Sequence, residues 1–203
     1  MEEKINKHEL KTRATRTLLL QAAETVFARD GYEGADLAEI AALAGRTKGA
    51  IYAQFASKED IFLAMFEERR DGYRQQMRQA LPQSSSVEEN LQALRTFYLK
   101  QLEDHNWNLL LLEFKLFALR HPSAQKRLQD LVAVATTEED EQRIEHLLGP
   151  APNPDSGITR LVAVHMILPV LSALVLEARV QQSLMNKDVM RQVANRLFDA
   201  LLE

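Results

Sequence analysis

The 203-residue chain contains no cysteine. That excludes a disulfide framework, a thiolate nucleophile and any cysteine-ligated metal site, and it fits a reducing cytoplasm. Glycine (7) and proline (6) are scarce, so long uninterrupted helices are expected rather than many turns. The N-terminal stretch MEEKINKHELKTRATR has none of the apolar character of a signal peptide. The most apolar run, Leu161–Leu176, is interrupted by His165, Pro169 and Ser172. It falls short of the roughly 20 residues of a membrane span, so it reads as a buried or interface helix, with His165 as a hydrogen-bonded interface residue and no membrane partner. A glycine-rich phosphate loop is lacking, as is any Ser/His/Asp or His/Glu pattern with catalytic spacing, so the chain is read as no enzyme. His105, His121 and His165 show no metal-ligand spacing, and neither a metal nor a cofactor is expected.

What is present is an ordinary globular balance, 46% hydrophobic and 27% charged, with a net charge of −4. A negative total is a weak guide to partners, because nucleic acid is read by a local patch. Between Lys4 and Lys58 nine basic residues stand against six acidic ones, so the excess acid lies further along.

Apolar residues recur at helical spacing almost throughout, and no segment alternates as a strand does, which makes the fold class all-α. A first helix is predicted from about Glu9 to Arg29, closed by Asp30 and Gly31. Short helices follow at about Leu37–Ala44, capped by Asp36, and from Thr47 to about Phe55. Ser57 caps a longer one ending near Ala80. Ser86 and Glu89 form a capping-box pattern ahead of the stripe Val87, Leu91, Leu94, Tyr98, Leu102. Leu109–Leu119 is apolar on nearly all sides. A further helix is predicted from the His121-Pro122 break to about Leu148. After the loop Gly149–Gly157, helices from about Ile158 to Gln181 and over Val189–Leu202 close the chain.

The informative stretch is DLAEIAALAGRTKGAIYAQF, Asp36–Phe55. Leu37, Ile40, Ala41 and Ala44 face inward at helical spacing, as do Ile51 and Phe55 beyond a turn at Gly45. Exposed between them are Arg46, Thr47, Lys48, Gly49, Ala50, Tyr52 and Gln54. A helix entering the major groove needs this chemistry. Lys48 can reach guanine O6/N7 or a phosphate. Gly49 costs helix stability, roughly 1 kcal/mol relative to alanine, and leaves bare backbone for close approach. Tyr52 can donate to a phosphate, and Lys58 can add charge beside the duplex. The plain alternative is a solvated polar face. Lys4, Lys7, Lys11, Arg13 and Arg16 form either a solvated tail or an arm reaching phosphates or the minor groove.

These residues also carry a resemblance. RTLLLQAAETVFARDGY followed by LAEIAALAGRTKGAIYAQFASKEDIF resembles the DNA-binding domain of the tetracycline-repressor (TetR) family over about Arg16–Phe62. The match combines F-x-x-x-G-Y, an I-A-x-x-A-G turn, K-G-A-I-Y-x-x-F and S-K-E. LLLEFKLFALRHP is similar to a stretch in the sensing domain of some members. The resemblance implies that Thr47, Lys48, Gly49, Ala50, Tyr52, Gln54 and Lys58 contact the operator. Arg46 departs from the small apolar residue usual after the turn glycine, and is either an extra contact or simply turned outward. Asp36 stands where threonine is common; a carboxylate near phosphate is unfavourable, so it is left out of the contact set.

The expected organisation is a three-helix helix-turn-helix domain over residues 1–58 and a helical ligand-binding and dimerising domain over 59–203. Phe97, Trp107, Glu113, Phe114 and Phe117 are the candidate ligand contacts, although aromatics at helical spacing also serve as core. Glu113 sits among apolar neighbours, as a counter-charge to a cationic ligand or as half of a structural ion pair. For an anionic ligand, Arg120 or His121 would serve instead. The last two helices, including Leu197 and Leu201, are expected at a dimer interface. The resulting expectation is a cytoplasmic homodimeric repressor that binds a pseudo-palindromic double-stranded DNA operator and is released by a small hydrophobic effector. The competing classes are an enzyme, or a helical adaptor that carries a helix-turn-helix.

Overall fold

In the computed structural model, residues 7–81, 86–133, 138–153, 155 and 157–202 are described, and among them all regular structure is helical. In chain order the helices are α1 (Lys7–Gly34), α2 (Leu37–Leu43), α3 (Lys48–Tyr52), α4 (Lys58–Ala80), α5 (Val87–Gln101), α6 (His105–Arg120), α7 (Pro122–Val132), α8 (Glu138–Leu148), α9 (Arg160–Val180) and α10 (Lys187–Leu202). Lys4 lies outside the described residues; Lys11, Arg13 and Arg16 belong to the opening turns of α1.

Local chemistry sets most boundaries. Asp36 caps α2 by accepting from the Ala38 and Glu39 amides, and the Thr47 hydroxyl caps α3 by accepting from Ala50. Ser86 and Glu89 form the reciprocal capping box expected of them. The Ser86 contacts hold the Glu89 carboxyl below the usual carboxylate range. Asp104 and Thr159 open α6 and α9 in the same way.

The first helix breaks at Gly31, where Asp30 and Gly31 are expected to close it: a φ of 75° and ψ of 175° are open to glycine and are not helical, and a separate short helical stretch follows to Gly34. One expectation is corrected. The single helix expected from His121-Pro122 to Leu148 is two, α7 and α8.

The chain packs as two compact units: Met1–Gly72 with Leu109–Val132, and Tyr73–Asn108 with Ala133–Glu203. The first is organised around aromatic rings. Tyr32 lies stacked with Phe27 at 5.9 Å between ring centres, and edge-on to Phe62 and Phe114 at 5.7 and 4.9 Å. Phe114 of α6 stacks on Phe62 of α4 at 3.9 Å. Leu19, Ala23 and Val26 of α1, Ile40 of α2 and Ile51 of α3 are buried in the same unit.

In the second unit Leu94, Phe97 and Tyr98 of α5 pack with Ile167, Leu171 and Val175 of α9 and with Ala194, Phe198 and Leu202 of α10. The Tyr98 hydroxyl donates to the Val164 carbonyl at 2.6 Å. Arg160 is buried at the start of α9 and its guanidinium donates to three carbonyls: Gly149 at 3.0 Å, Leu202 at 2.5 Å, and Pro150. α9 is long and apolar enough to cross a membrane. Its inner face is instead spent on this core, while Val162, Met166 and Val180 on its outer side are 42%, 50% and 81% exposed. Leu197 and Leu201 of α10 are half-buried against the same core, so they serve packing within the chain.

Candidate nucleic-acid interface

The α2–turn–α3 segment is fixed from inside. Ile40, Ala41, Ile51 and Phe55 are buried, and Gly45 (φ 64°) makes the turn, with the Arg46 amide donating to the Ala41 carbonyl at 2.8 Å. The Arg16 guanidinium lies over the Phe55 ring at 4.5 Å, tying α1 to the end of the reading segment. Arg16 is thus at least partly engaged within the unit, a role its place in the basic N-terminal run gave no sign of.

With that face inward, the other is left to solvent. Arg46, Thr47, Lys48, Gly49 and Tyr52 are exposed, and Ala50 and Gln54 are half-buried at the margin. Arg46 makes a hydrogen bond from Nη1 to the Gly45 carbonyl at 3.1 Å. At Gly49 a Cβ would meet only Thr47 Oγ1, at an ordinary 3.8 Å. Nothing inside the chain therefore requires glycine there, and the bare backbone faces outward. Asp36 turns its carboxylate onto its own helix, and the neighbouring acid Glu39 is paired with Arg29 at 2.6 Å.

Lys58 is placed differently from the rest. Its Nζ donates to the carbonyls of Glu33 at 2.7 Å and Ala35 at 3.2 Å, and lies 5.2 Å from the centre of the Tyr32 ring. Burial pushes this ammonium below its ordinary value, against the pull of Glu33 and Asp36. Two of its three donors are thus engaged within the chain, and one remains for an outside acceptor.

The five candidate ligand contacts do not fall in one unit. Phe97, against Tyr73 at 4.7 Å, and half-buried Trp107 belong to the second. Glu113, Phe114 and Phe117 belong to the first, where Phe117 lies 4.8 Å from Tyr32 and stacks on His121 at 3.9 Å. Glu113 accepts from a backbone amide, that of Tyr32, at 2.7 Å. On the same helix Lys115 is half-buried, and burial pushes its ammonium down; Arg120 at its end and His121 just beyond it are exposed. A cleft of about 430 Å³ in the first unit is lined by Tyr32, Lys58, Glu59, Phe117 and His121, among others.

Residues 19–65 match the family model for bacterial regulatory proteins of the tetR family. The fatty acid metabolism regulator protein of Bacillus subtilis (strain 168) is 30% identical over 89 residues, 43% of this chain and 46% of that protein. The HTH-type transcriptional repressor AcnR of Corynebacterium diphtheriae is 32% identical over 109 residues, 54% of this chain and 53% of the relative. The chain thus spans about half the length of these curated relatives. The crystal structure of the transcriptional regulator FadR from Bacillus subtilis in complex with stearoyl-CoA shares the fold. It superposes with a TM-score of 0.63 at 20% identity, covering 92% of this chain and 95% of that one.

Proposed function

We propose that the chain is a regulator of the tetR family, whose model residues 19–65 match, and that it is a repressor released from its operator by a small hydrophobic molecule. One observation carries the reading: the exposed row Arg46, Thr47, Lys48, Gly49, Tyr52 on a helix-turn-helix whose opposite face is locked into a core. Lys48 and Ala50 on the first turn of α3 read base edges. Arg46, Thr47, Gly49, Tyr52, Gln54 and the remaining donor of Lys58 lie along the backbone.

Residues 1–58 act as reader and residues 59–203 as sensor and dimer former. Two copies place their α3 helices in successive major grooves of a pseudo-palindrome, about 34–36 Å apart or somewhat more. The apolar outer side of α9 supports a second copy of the chain as its cover, and a DNA-binding role implies the cytoplasm. The family's regulators bind DNA rather than catalyse a reaction, and the repressor name of one relative supports the sign.

An effector with a large apolar part is supported by the acyl-CoA carried by the FadR neighbour. Of the expected aromatic contacts Phe117 is the candidate, because it lines the cleft of the first unit together with Tyr32 and His121. Glu113 is engaged by the chain itself, so an effector reaching it would compete with the Tyr32 amide.

The test is a gel shift of the wild-type protein on the DNA upstream of its own coding sequence, with an unrelated duplex as control. Retardation of the first alone, reversed by a saturated long-chain acyl-CoA, is the expected result. Equal affinity for both duplexes would overturn specific reading, and an acyl-CoA without effect would overturn the effector class.

A further inference from the structure

The join between α1 and α2 is held from two sides. On one side Glu113 of α6 accepts the Tyr32 amide at 2.7 Å. The same carboxylate fills the space beside Gly31: a Cβ built there would lie 2.7 Å from its Oε2. Gly31 therefore serves two needs at once, a φ of 75° and room for an acid that arrives from 81 residues away. On the other side Lys58 of α4 takes the carbonyls of Glu33 and Ala35. The segment from Gly31 to Ala35 is thus tied through an amide to α6 and through two carbonyls to α4, with Tyr32 wedged between Phe27, Phe62, Phe114 and Phe117. The next residue, Asp36, is the cap from which α2 starts.

We propose that Glu113 is a positioning residue for DNA reading, resting on the operator-binding function above: its carboxylate sets the Gly31–Tyr32 turn against α6 and so fixes the attitude of α2 and α3. A charged acceptor on a backbone amide is among the stronger single hydrogen bonds, and it is directional. Aromatic packing alone would hold Tyr32 in place, but would let the backbone around it swing. Any movement of α6 that withdraws the carboxylate frees an amide four residues ahead of the α2 cap. Weaker ties nearby do not replace it: the Arg29–Glu39 pair lies in solvent, where such pairs contribute little.

Duplexes are selected from randomised DNA with the wild-type full chain, and affinities are then compared for wild type, E113Q, E113D and E113A. Measurements are made where circular dichroism shows each protein fully folded. E113Q keeps an acceptor and should bind the enriched duplex within about threefold of wild type. E113A should lose about tenfold on that duplex, the equivalent of one charge-assisted hydrogen bond, with little change on unrelated DNA. Hydrogen exchange at the Tyr32 amide should quicken in E113A and stay slow in E113Q. A purely structural role would lower the melting temperature without moving the affinity of the folded protein. If E113A does not fold, E113D carries the comparison: its shorter carboxylate must pull the turn toward α6, and it should bind the enriched duplex more weakly than E113Q does. Wild-type affinity in folded E113A, or in E113D if only that folds, overturns the assignment alone. Failure of the wild type to enrich any duplex overturns operator reading and the assignment with it.

Discussion

Lys58 and Lys48 sit ten residues apart and carry the same charge, yet the chain uses them differently. Lys58 has two donors on the carbonyls of Glu33 and Ala35, whereas Lys48 stands exposed on the first turn of α3. Replacing Lys58 by alanine removes a charged donor from two carbonyls and should destabilise the fold by about 1–2 kcal/mol, read by urea unfolding. It should also weaken binding to every duplex alike and reduce the salt slope by about 1, since a phosphate contact carries no sequence information. An unchanged slope would leave Lys58 as an internal strut only. Lys48→Ala should leave stability untouched and cost about 1–3 kcal/mol of discrimination between the enriched duplex and a scrambled one. Equal loss on both would make Lys48 a phosphate contact and move base reading elsewhere on α3.

At the scale of elements, the helix-turn-helix was legible because its determinants are local: the Asp36 and Thr47 caps, the turn at Gly45, and apolar residues at helical spacing. The Gly31–Glu113 contact was not, because periodicity tells which face of a helix is buried and not which helix it meets. For the same reason a run of aromatics read as one pocket is divided between two units. The ion pairs that join helices were equally hidden. Arg127 of α7 pairs with Asp60 on the first turn of α4, and with Glu59 at 3.4 Å. Burial raises the Asp60 carboxyl, but hydrogen bonds with Arg127 and Ser57 outweigh it and hold the group below its ordinary 3.8. A depressed carboxylate contributes stability above its unfolded value, and that contribution fades as pH falls through the lower folded value. Asp60→Asn should therefore be less stable than wild type at pH 7, by about 1 kcal/mol or less for so exposed a pair, with the difference narrowing as pH falls below the ordinary 3.8. A gap that persists in strong acid would assign the loss to something other than the charge. Arg160 is the larger element-scale risk. Arg160→Met leaves three carbonyls without their donor and should cost about 2–3 kcal/mol in thermal or urea unfolding, and lysine should not rescue it because an ammonium cannot fork to all three.

For the whole molecule, the question is what covers α9. Its sequence is apolar nearly all round, which suits a helix buried on every side, yet α5, α8 and α10 leave its outer side, with Val162, Met166 and Val180, exposed. α10 presents a different picture: Ala194, Phe198 and Leu202 are buried, Leu197 and Leu201 are half-buried beside them, and the side that faces out carries Arg191, Gln192 and Arg196. The two helices thus contribute unequally to any interface, with α9 supplying the apolar surface and α10 a polar margin, a pattern common to protein interfaces. Glutamates at Leu197 and Leu201 would attack the core of one subunit, so loss of fold there says nothing about assembly. Glutamates at Val162 and Met166 lie on the exposed side and spare that core. In sedimentation, the wild type should run as a dimer and the V162E/M166E protein as a folded monomer with unchanged helix content. The monomer should hold a full pseudo-palindromic duplex far more weakly than the dimer, because the second half-site no longer binds at high effective concentration. A double variant that remains dimeric would place the interface elsewhere and leave the apolar face of α9 for another partner.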